Sequence, residues 1–254
     1  MRLLTRSRDP AHGLLDLAGP ILAALSQDPL VRVQGGDFSP GELDRWKPLI
    51  TSIGVPADEG EDGATGQKDG STWVDVRYDP TRGHTFRHSA TAQPLHTDGA
   101  YLRQPVDLVF FLCQDQATQG GETIFVRADV VEREVQAADP ALHQLLWQTP
   151  LTYGKGDRRG RCVPVLSRDA DGVRINWNYY RVLDSTANAA AVREAFFAFL
   201  RDEIVARGKV DAVLLRPGDA LIFADQKVLH GRHAFTPSPR CMWKCNVNRS
   251  PATS

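Results

Sequence analysis

From Trp73 to Val247 the chain is punctuated by short apolar or alternating runs: WVDVRY (73–78), TFRHS (85–89), DLVFFLC (107–113), TIFV (123–126), LTYG (151–154), CVPVL (162–166), VRINW (173–177), AVLL (212–215), ALIF (220–223) and MWKCNV (242–247). Many are bounded by Gly, Pro, Asp or Asn, the punctuation expected of strands. Asp169-Ala170-Asp171-Gly172 predicts a hairpin turn. Two helical stretches interrupt the series. One covers 128–147 with Pro140 as a break. The other covers 188–208, where Val192, Phe196, Phe197, Leu200 and Ile204 recur at helical spacing and Gly208 closes the end. Ahead of Trp73, residues 11–27 read as a helix interrupted by Pro20, 30–36 as a strand, and Ser39-Pro40 as the start of another helix. A parallel α/β sheet needs helices in strict alternation with strands, and that alternation is missing. The pattern predicts a mixed α and β, mainly β fold: a double-sheet β-roll, jelly-roll or cupin-like, flanked by helices.

The 254 residues suit a single domain over 1–254. The polar, Gly-rich stretch 56–72 reads either as a tolerated surface insertion or as a lid. With 42% hydrophobic and 24% charged residues, the composition is that of an ordinary soluble protein. Thirty basic residues against 31 acidic ones leave no footprint for nucleic acid or an anionic membrane. The N-terminus is too polar for a secretory signal, and no run is long enough to span a bilayer. Cys113, Cys162, Cys241 and Cys245 form no CxxC pair and read as small buried residues of a protein in a reducing cytoplasm.

Chemistry enters at PLHTDGAYL (94–102). His96 and Asp98 are two apart, so on an extended strand both face the same way and reach one metal ion. His230 follows the ALIF strand in ALIFADQKVLHGRHAF (220–235). Two imidazoles and one carboxylate on one side of an octahedron suit non-haem iron(II). Zinc hydrolases use the same ligand types, so ligand identity alone leaves both metals open. HxD by itself is a weak motif in a chain with 7 histidines; His12, His84, His88, His143 and His233 read as bystanders.

The surroundings are more specific. HTDGAY, then DLVFFLCQDQATQGGETIF (107–125), the Pro217-Gly218-Asp219 turn, LIFADQKVLHGRHAF and an arginine ten residues after His230 resemble the TauD/TfdA (taurine dioxygenase) family of iron(II)- and 2-oxoglutarate-dependent oxygenases. The resemblance covers 94–127 and 212–249 well and is thin over 1–90 and the middle helices. It implies a double-stranded β-helix, Fe(II) as metal, and 2-oxoglutarate and O2 as co-substrates. His96, Asp98 and His230 match the iron ligands. Thr123 of GGET matches a threonine that hydrogen-bonds a 2-oxoglutarate carboxylate, and Arg240 the arginine that pairs with its distal carboxylate. A planar guanidinium holds a carboxylate by two parallel bonds, in agreement with that role. Lys244 stands where some members carry a second basic residue that contacts co-substrate or substrate, here a Lys and not an Arg, and it joins the substrate-binding candidates. Related halogenases have a small residue in place of the carboxylate, so Asp98 implies hydroxylation, desaturation or cyclisation and not halogenation.

For substrate contacts, RINWNYYR (174–181) reads as a strand whose alternate side chains line a cavity, offering Asn176, Asn178, Tyr179 and Arg181. Tyr101, Arg77 and Tyr78 are comparable candidates, and Arg232 reads equally as functional or structural. Such groups favour a small polar substrate, an amino acid or derivative. Partners other than this small molecule are not expected, and oligomeric state is left open. The alternatives are a zinc hydrolase, which has no need of Thr123 or Arg240, and a non-catalytic β-roll protein, which has no need of all three ligands.

Overall fold

The computed structural model describes residues 1–6, 13–35, 38–39, 41–57, 70–83, 85–155, 158–183 and 186–249. Most of the polar 56–72 stretch, together with His12, Pro40 and His84, lies outside them.

The strands are β1 (Arg2–Thr5), β2 (Leu30–Gln34), β3 (Val55–Pro56), β4 (Val74–Arg77), β5 (Gln93–His96), β6 (Leu108–Asp115), β7 (Thr123–Arg127), β8 (Leu151–Lys155), β9 (Arg158–Val163), β10 (Leu166–Asp169), β11 (Gly172–Ile175), β12 (Val182–Leu183), β13 (Asp211–Val213), β14 (Ala220–Ala224), β15 (Val228–Arg232) and β16 (Cys241–Asn248). The helices are α1 (Ala18–Leu25), α2 (Glu42–Ile53), α3 (Ala128–Ala138), α4 (Pro140–Gln148) and α5 (Ala187–Phe199). A wider π-helical turn, Leu200–Val205, continues α5.

A large sheet runs β1-β2-β14-β6-β16-β3, with β4 also on β16; a four-stranded sheet runs β13-β7-β15-β5. The chain crosses between them repeatedly: β5, β7, β13 and β15 lie in the small sheet, and β6, β14 and β16 in the large one. That alternation is the double-stranded β-helix expected from the pattern. The inner faces meet in a core of Val109 and Cys113 of β6, Leu221 and Phe223 of β14, and Met242, against Phe125, Val213 and Val228. Leu108, Phe110 and Leu112 of β6 face the other way, against α1 and α2. Burial on both faces is why β6 reads as an unbroken apolar run and not as an alternation. On α2, Trp46, Leu49, Ile50 and Ile53 fall at helical spacing and form its buried stripe. The outer face of the small sheet is covered by α3, α4 and α5. These helices and two small sheets, β12-β8-β9 and β10-β11, fill the long insert between β7 and β13.

Several local expectations are corrected. TFRHS is a turn and not a strand: backbone bonds Thr85 N–H to Arg82 O and His88 N–H to Thr85 O close it at 3.2 and 3.0 Å. Pro20 falls in the first turn of α1, where its missing N–H costs nothing, so it interrupts no helix. Gly41, with φ of 79°, precedes α2 in place of a Ser39 cap; Ser39 Oγ meets the Glu42 side chain instead. RINWNYYR is no continuous strand, because β11 stops at Ile175 and Tyr179–Arg181 forms a 3-10 turn. Pro140 does open α4, with Asp139 accepting from Leu142 N–H at 2.9 Å, and Asp169 pairs with Gly172 across the anticipated hairpin. The Asp219 carboxylate of the PGD turn binds Arg32 at 2.7 Å and so ties β14 to β2. Cys162 is exposed, whereas Cys113, Cys241 and Cys245 are buried; none of the four is in a disulfide. Among the described residues no helix is long and apolar enough to cross a membrane.

Candidate metal centre

His96 is the last residue of β5, and His230 lies directly opposite it on β15. The imidazole rings sit side by side with centroids 4.2 Å apart. Asp98 Oδ1 lies 3.8 Å from His96 Nε2 and 3.9 Å from His230 Nε2. The three side chains offer ligand atoms within 4.8 Å of one another, a separation suited to sharing one ion.

Strand alternation does not place Asp98, because β5 has already ended. Asp225 does that work. Its carboxylate is buried and accepts the backbone N–H of Asp98 at 2.8 Å and of Gly99 at 3.2 Å. The turn is also stitched from the other side, where Thr97 N–H donates to Trp177 O at 2.6 Å. Asp225 was missed in the sequence. The available signal was an acidic residue closing the apolar ALIFA strand five positions before His230.

The electrostatics prepare a cation site. Burial lowers the His96 pKa and, with the neighbouring His96 ring, holds His230 near 3, so both imidazoles are neutral at neutral pH. His96 Nδ1 lies 2.9 Å from Pro94 O, which fixes the proton there and leaves Nε2 as the lone-pair donor. Burial pushes the Asp98 carboxyl up, but Lys244, His230 and His96 outweigh it and hold the group below the usual carboxylate range. Burial and the Asp98 charge raise Asp225 to about 7. Phe223, Phe111 and Phe125 surround His230, with ring centroids at 4.9, 6.0 and 6.5 Å.

Thr123 and Arg240 are buried on the inner faces. Thr123 opens β7 opposite Arg232. Gly121, two residues earlier, lies against the Arg240 side chain: a Cβ there would stand 3.2 Å from Nε and 3.3 Å from Cδ. Arg240 makes no side-chain hydrogen bond or ion pair among the described residues, and its buried Nε has no partner. Burial lowers its pKa to about 10, still leaving it a cation. An uncompensated guanidinium in a core is costly unless a ligand answers it. Two neutral imidazoles, an ionised carboxylate and this unanswered arginine fit a divalent metal with an anionic companion.

A cavity of about 650 Å³ opens onto the cluster and is lined by His96, Asp98, His230 and Lys244, and by Tyr101, Asn178, Tyr179 and Arg181 from the substrate candidates. Lys244 Nζ lies 3.1 Å from Asp98 Oδ2. The Tyr179 hydroxyl donates to Glu194 at 2.9 Å, so that residue presents its ring. Asn176 is not brought to the cavity. It is buried, donates to Ala100 O and accepts from Arg161 and Gln226, which leaves its amide committed to the scaffold. Arg77 pairs with Asp75 at 2.6 Å, and Tyr78 packs on Phe235; neither lines the cavity. His88, His143 and His233 contact Arg77 O, Trp147 and Glu122, and none joins the metal cluster.

Comparison with known proteins follows the same geometry. The chain is 29% identical over 172 residues to a mitochondrial trimethyllysine dioxygenase of Rattus norvegicus, covering 62% of this chain and 40% of that protein. It is 28% identical over 178 residues to a gamma-butyrobetaine dioxygenase of Pseudomonas sp. (strain AK-1), covering 66% and 46%. The chain thus spans less than half the length of these relatives. An asparagine oxygenase structure, in complex with Fe(II), 2S,3S-3-hydroxyasparagine and succinate, superposes with a TM-score of 0.73 at 17% identity, over 97% of this chain and 93% of that one; it shares the fold. The sequence pattern of the family described as "Taurine catabolism dioxygenase TauD, TfdA family" matches residues 12–246, and the protein belongs to that family.

Proposed function

We propose that this protein, acting as one domain, is an iron(II)- and 2-oxoglutarate-dependent dioxygenase. It hydroxylates an unactivated C–H bond of a small polar substrate, an amino acid or derivative, with release of succinate and CO2. The observation that carries this reading is the pairing of a buried His96–Asp98–His230 cluster with a buried Arg240 that no carboxylate answers among the described residues. A zinc hydrolase has use for the first and none for the second.

In this reading His96, Asp98 and His230 would hold the iron. The bound iron and 2-oxoglutarate supply the oxygen activation that no side chain here provides. Arg240 would pair with the distal carboxylate of 2-oxoglutarate, and the Thr123 hydroxyl would donate to a carboxylate of the same molecule. Lys244 keeps Asp98 ionised. Phe111, Phe125 and Phe223 exclude water around His230. The cavity bearing Tyr101, Asn178, Tyr179 and Arg181 presents the substrate. The relatives named above act on trimethyllysine and gamma-butyrobetaine, which supports an amino acid or derivative. Four cysteines without a disulfide suit a reducing cytoplasm.

The test adds iron(II) and 2-oxoglutarate without oxygen to read the band, then admits oxygen and screens candidate substrates for succinate by mass spectrometry. A weak visible charge-transfer band and substrate-stimulated succinate are expected in the parent, and neither in His96→Ala. Succinate formation by the variant at the parental rate removes His96 from the metal site.

A further inference from the structure

A second cavity, of about 220 Å³, lies between the small sheet and α5. Leu95 of β5 and Ile124 of β7 form one wall, and Phe197 of α5 with Leu200 and Val205 of the π turn form the other. Such a widened turn in a helix is frequent at functional sites. The surface facing this cavity is almost wholly apolar, and its rim includes Ala92 and Arg201, both exposed. It shares a wall with the polar cavity at the metal cluster: Gln93, Pro94 and Leu95 line both. Gln93 is the side chain of that wall that reaches the metal side. Its amide nitrogen lies 3.2 Å from His96 Nε2, and among the described residues no other hydrogen bond holds the amide. Nε2 is the atom a metal would take, so this contact and the metal exclude each other. Loading the site releases the Gln93 amide from the wall.

We propose that the apolar cavity is the entry chamber for dioxygen, and that Gln93 is the door between this chamber and the metal site. The inference rests on the dioxygenase reading and assigns a route to one of its reactants. Of the three reactants, 2-oxoglutarate and an amino-acid substrate are charged, and an apolar surface repels them. Dioxygen is small, uncharged and apolar, and it gathers where water is excluded. A cavity of roughly 150 Å³ lined by Leu, Ile and Phe stays dry and takes up xenon, a probe of similar character. The polar cavity is the space that the substrate fills. A path behind β5 stays open when that front entrance is occupied. The released Gln93 amide couples the two events, because the door is freed only once the metal is in place.

The experiment has two arms. The first is methyl NMR of the metal-free protein under xenon pressure. The methyl groups of Leu95, Ile124 and Leu200 are expected to shift together in the parent, and to stay still in Val205→Trp and Ala92→Trp, which fill the cavity from opposite sides. Ala92 is exposed, so its variant carries the test if Val205→Trp fails to fold. The second arm mixes oxygen with protein loaded with iron(II) and 2-oxoglutarate and follows the decay of the charge-transfer band against oxygen concentration. Each tryptophan variant is expected to slow that decay about fivefold, since it fills space that small apolar molecules occupy, while the 2-oxoglutarate concentration that develops the band stays the same. Gln93→Ala should speed the decay about twofold and keep the xenon shifts, as expected for removal of a gate. Absence of xenon shifts in the parent, or an unchanged decay in a variant that has lost them, overturns the route. An unchanged decay in Gln93→Ala overturns the door. A band in the parent with either of these failures removes only this inference. No band in the parent removes the dioxygenase reading and the route with it.

Discussion

Two arginines, Arg232 and Arg240, lie eight residues apart, both buried and both over the ring of Phe235, at 5.0 and 5.6 Å. Their hydrogen-bond partners differ. Arg232 Nη2 reaches the carbonyl oxygens of Ser89 and Thr91 at 2.8 Å and of Phe86 at 3.1 Å, and so pins the turn that precedes β5. Arg240 reaches no acceptor among the described residues. Residue type, burial and aromatic partner are the same. What separates a scaffold arginine from a ligand arginine is whether the fold itself supplies the acceptors. Burial lowers Arg232 further than Arg240, to about 9 against about 10, with the Arg240 charge contributing, so the pair is held together against its own repulsion.

The largest effect is expected at Arg240. Removing it as Arg240→Ala should raise the apparent 2-oxoglutarate requirement a hundredfold or more, the loss of about 3 kcal/mol of charge-assisted binding. Initial rates of succinate formation against 2-oxoglutarate concentration give the number. A requirement equal to the parent's takes Arg240 out of the co-substrate site and dissolves the contrast with Arg232. Without metal or co-substrate, Arg240→Met should melt no lower than the parent, since it removes a buried cation that no carboxylate compensates among the described residues.

Arg232 should behave in the opposite way. Arg232→Met strands the carbonyl oxygens of Ser89 and Thr91 and should destabilise the fold by about 2–3 kcal/mol, read by chemical denaturation. In the folded fraction the 2-oxoglutarate requirement should rise far less than in Arg240→Ala. A rise of equal size in both variants places both guanidinium groups on the co-substrate.

Asp225 extends the comparison to the metal side. Each carboxylate oxygen takes one backbone N–H, from Asp98 and from Gly99. Asp225→Asn offers one oxygen and turns an NH2 toward the other amide, so the turn carrying Asp98 loosens. Iron affinity, measured by chelator competition, should fall about tenfold, the low end for loss of a group that orients a metal ligand. An unchanged affinity leaves Thr97 as the sufficient anchor of that turn.

The sequence was most legible where covalent spacing and burial coincide. Strand β6 announced itself because both its faces are covered, and α5 because its buried residues repeat at helical spacing. The clustering of His96, Asp98 and His230 was legible as a motif, but for a reason that needed amending: His96 and Asp98 converge through a turn tied by Asp225, not through strand alternation. Asn176 and Asn178 are two residues apart in one short motif, yet one is locked into the scaffold and the other lines the cavity. Arg232 and Arg240 are likewise indistinguishable by composition. In each case the deciding partner comes from a distant segment, Ala100 for Asn176 and the 86–91 turn for Arg232, and local pattern carries no record of it.

The smallest effect sharpens the contrast most, because it perturbs Arg240 without touching its charge. Gly121 has φ of 79°, and a Cβ there meets the Ala117 Cβ and Arg240 Nε at 3.2 Å. Gly121→Ala should cost about 1 kcal/mol of backbone strain, a fall in Tm of about 2–4 °C. Gly172→Ala supplies the control. Gly172 has φ of 103° but nothing within 4 Å of the added carbon, and it sits in the β10–β11 hairpin. Both variants should lose comparable stability. Only Gly121→Ala should raise the 2-oxoglutarate requirement, by a few-fold, because only there does the new methyl press on the guanidinium proposed to hold the co-substrate. Equal behaviour of the two in the succinate assay means that Arg240 tolerates displacement, and then the absence of protein acceptors around it has a cause other than a bound carboxylate.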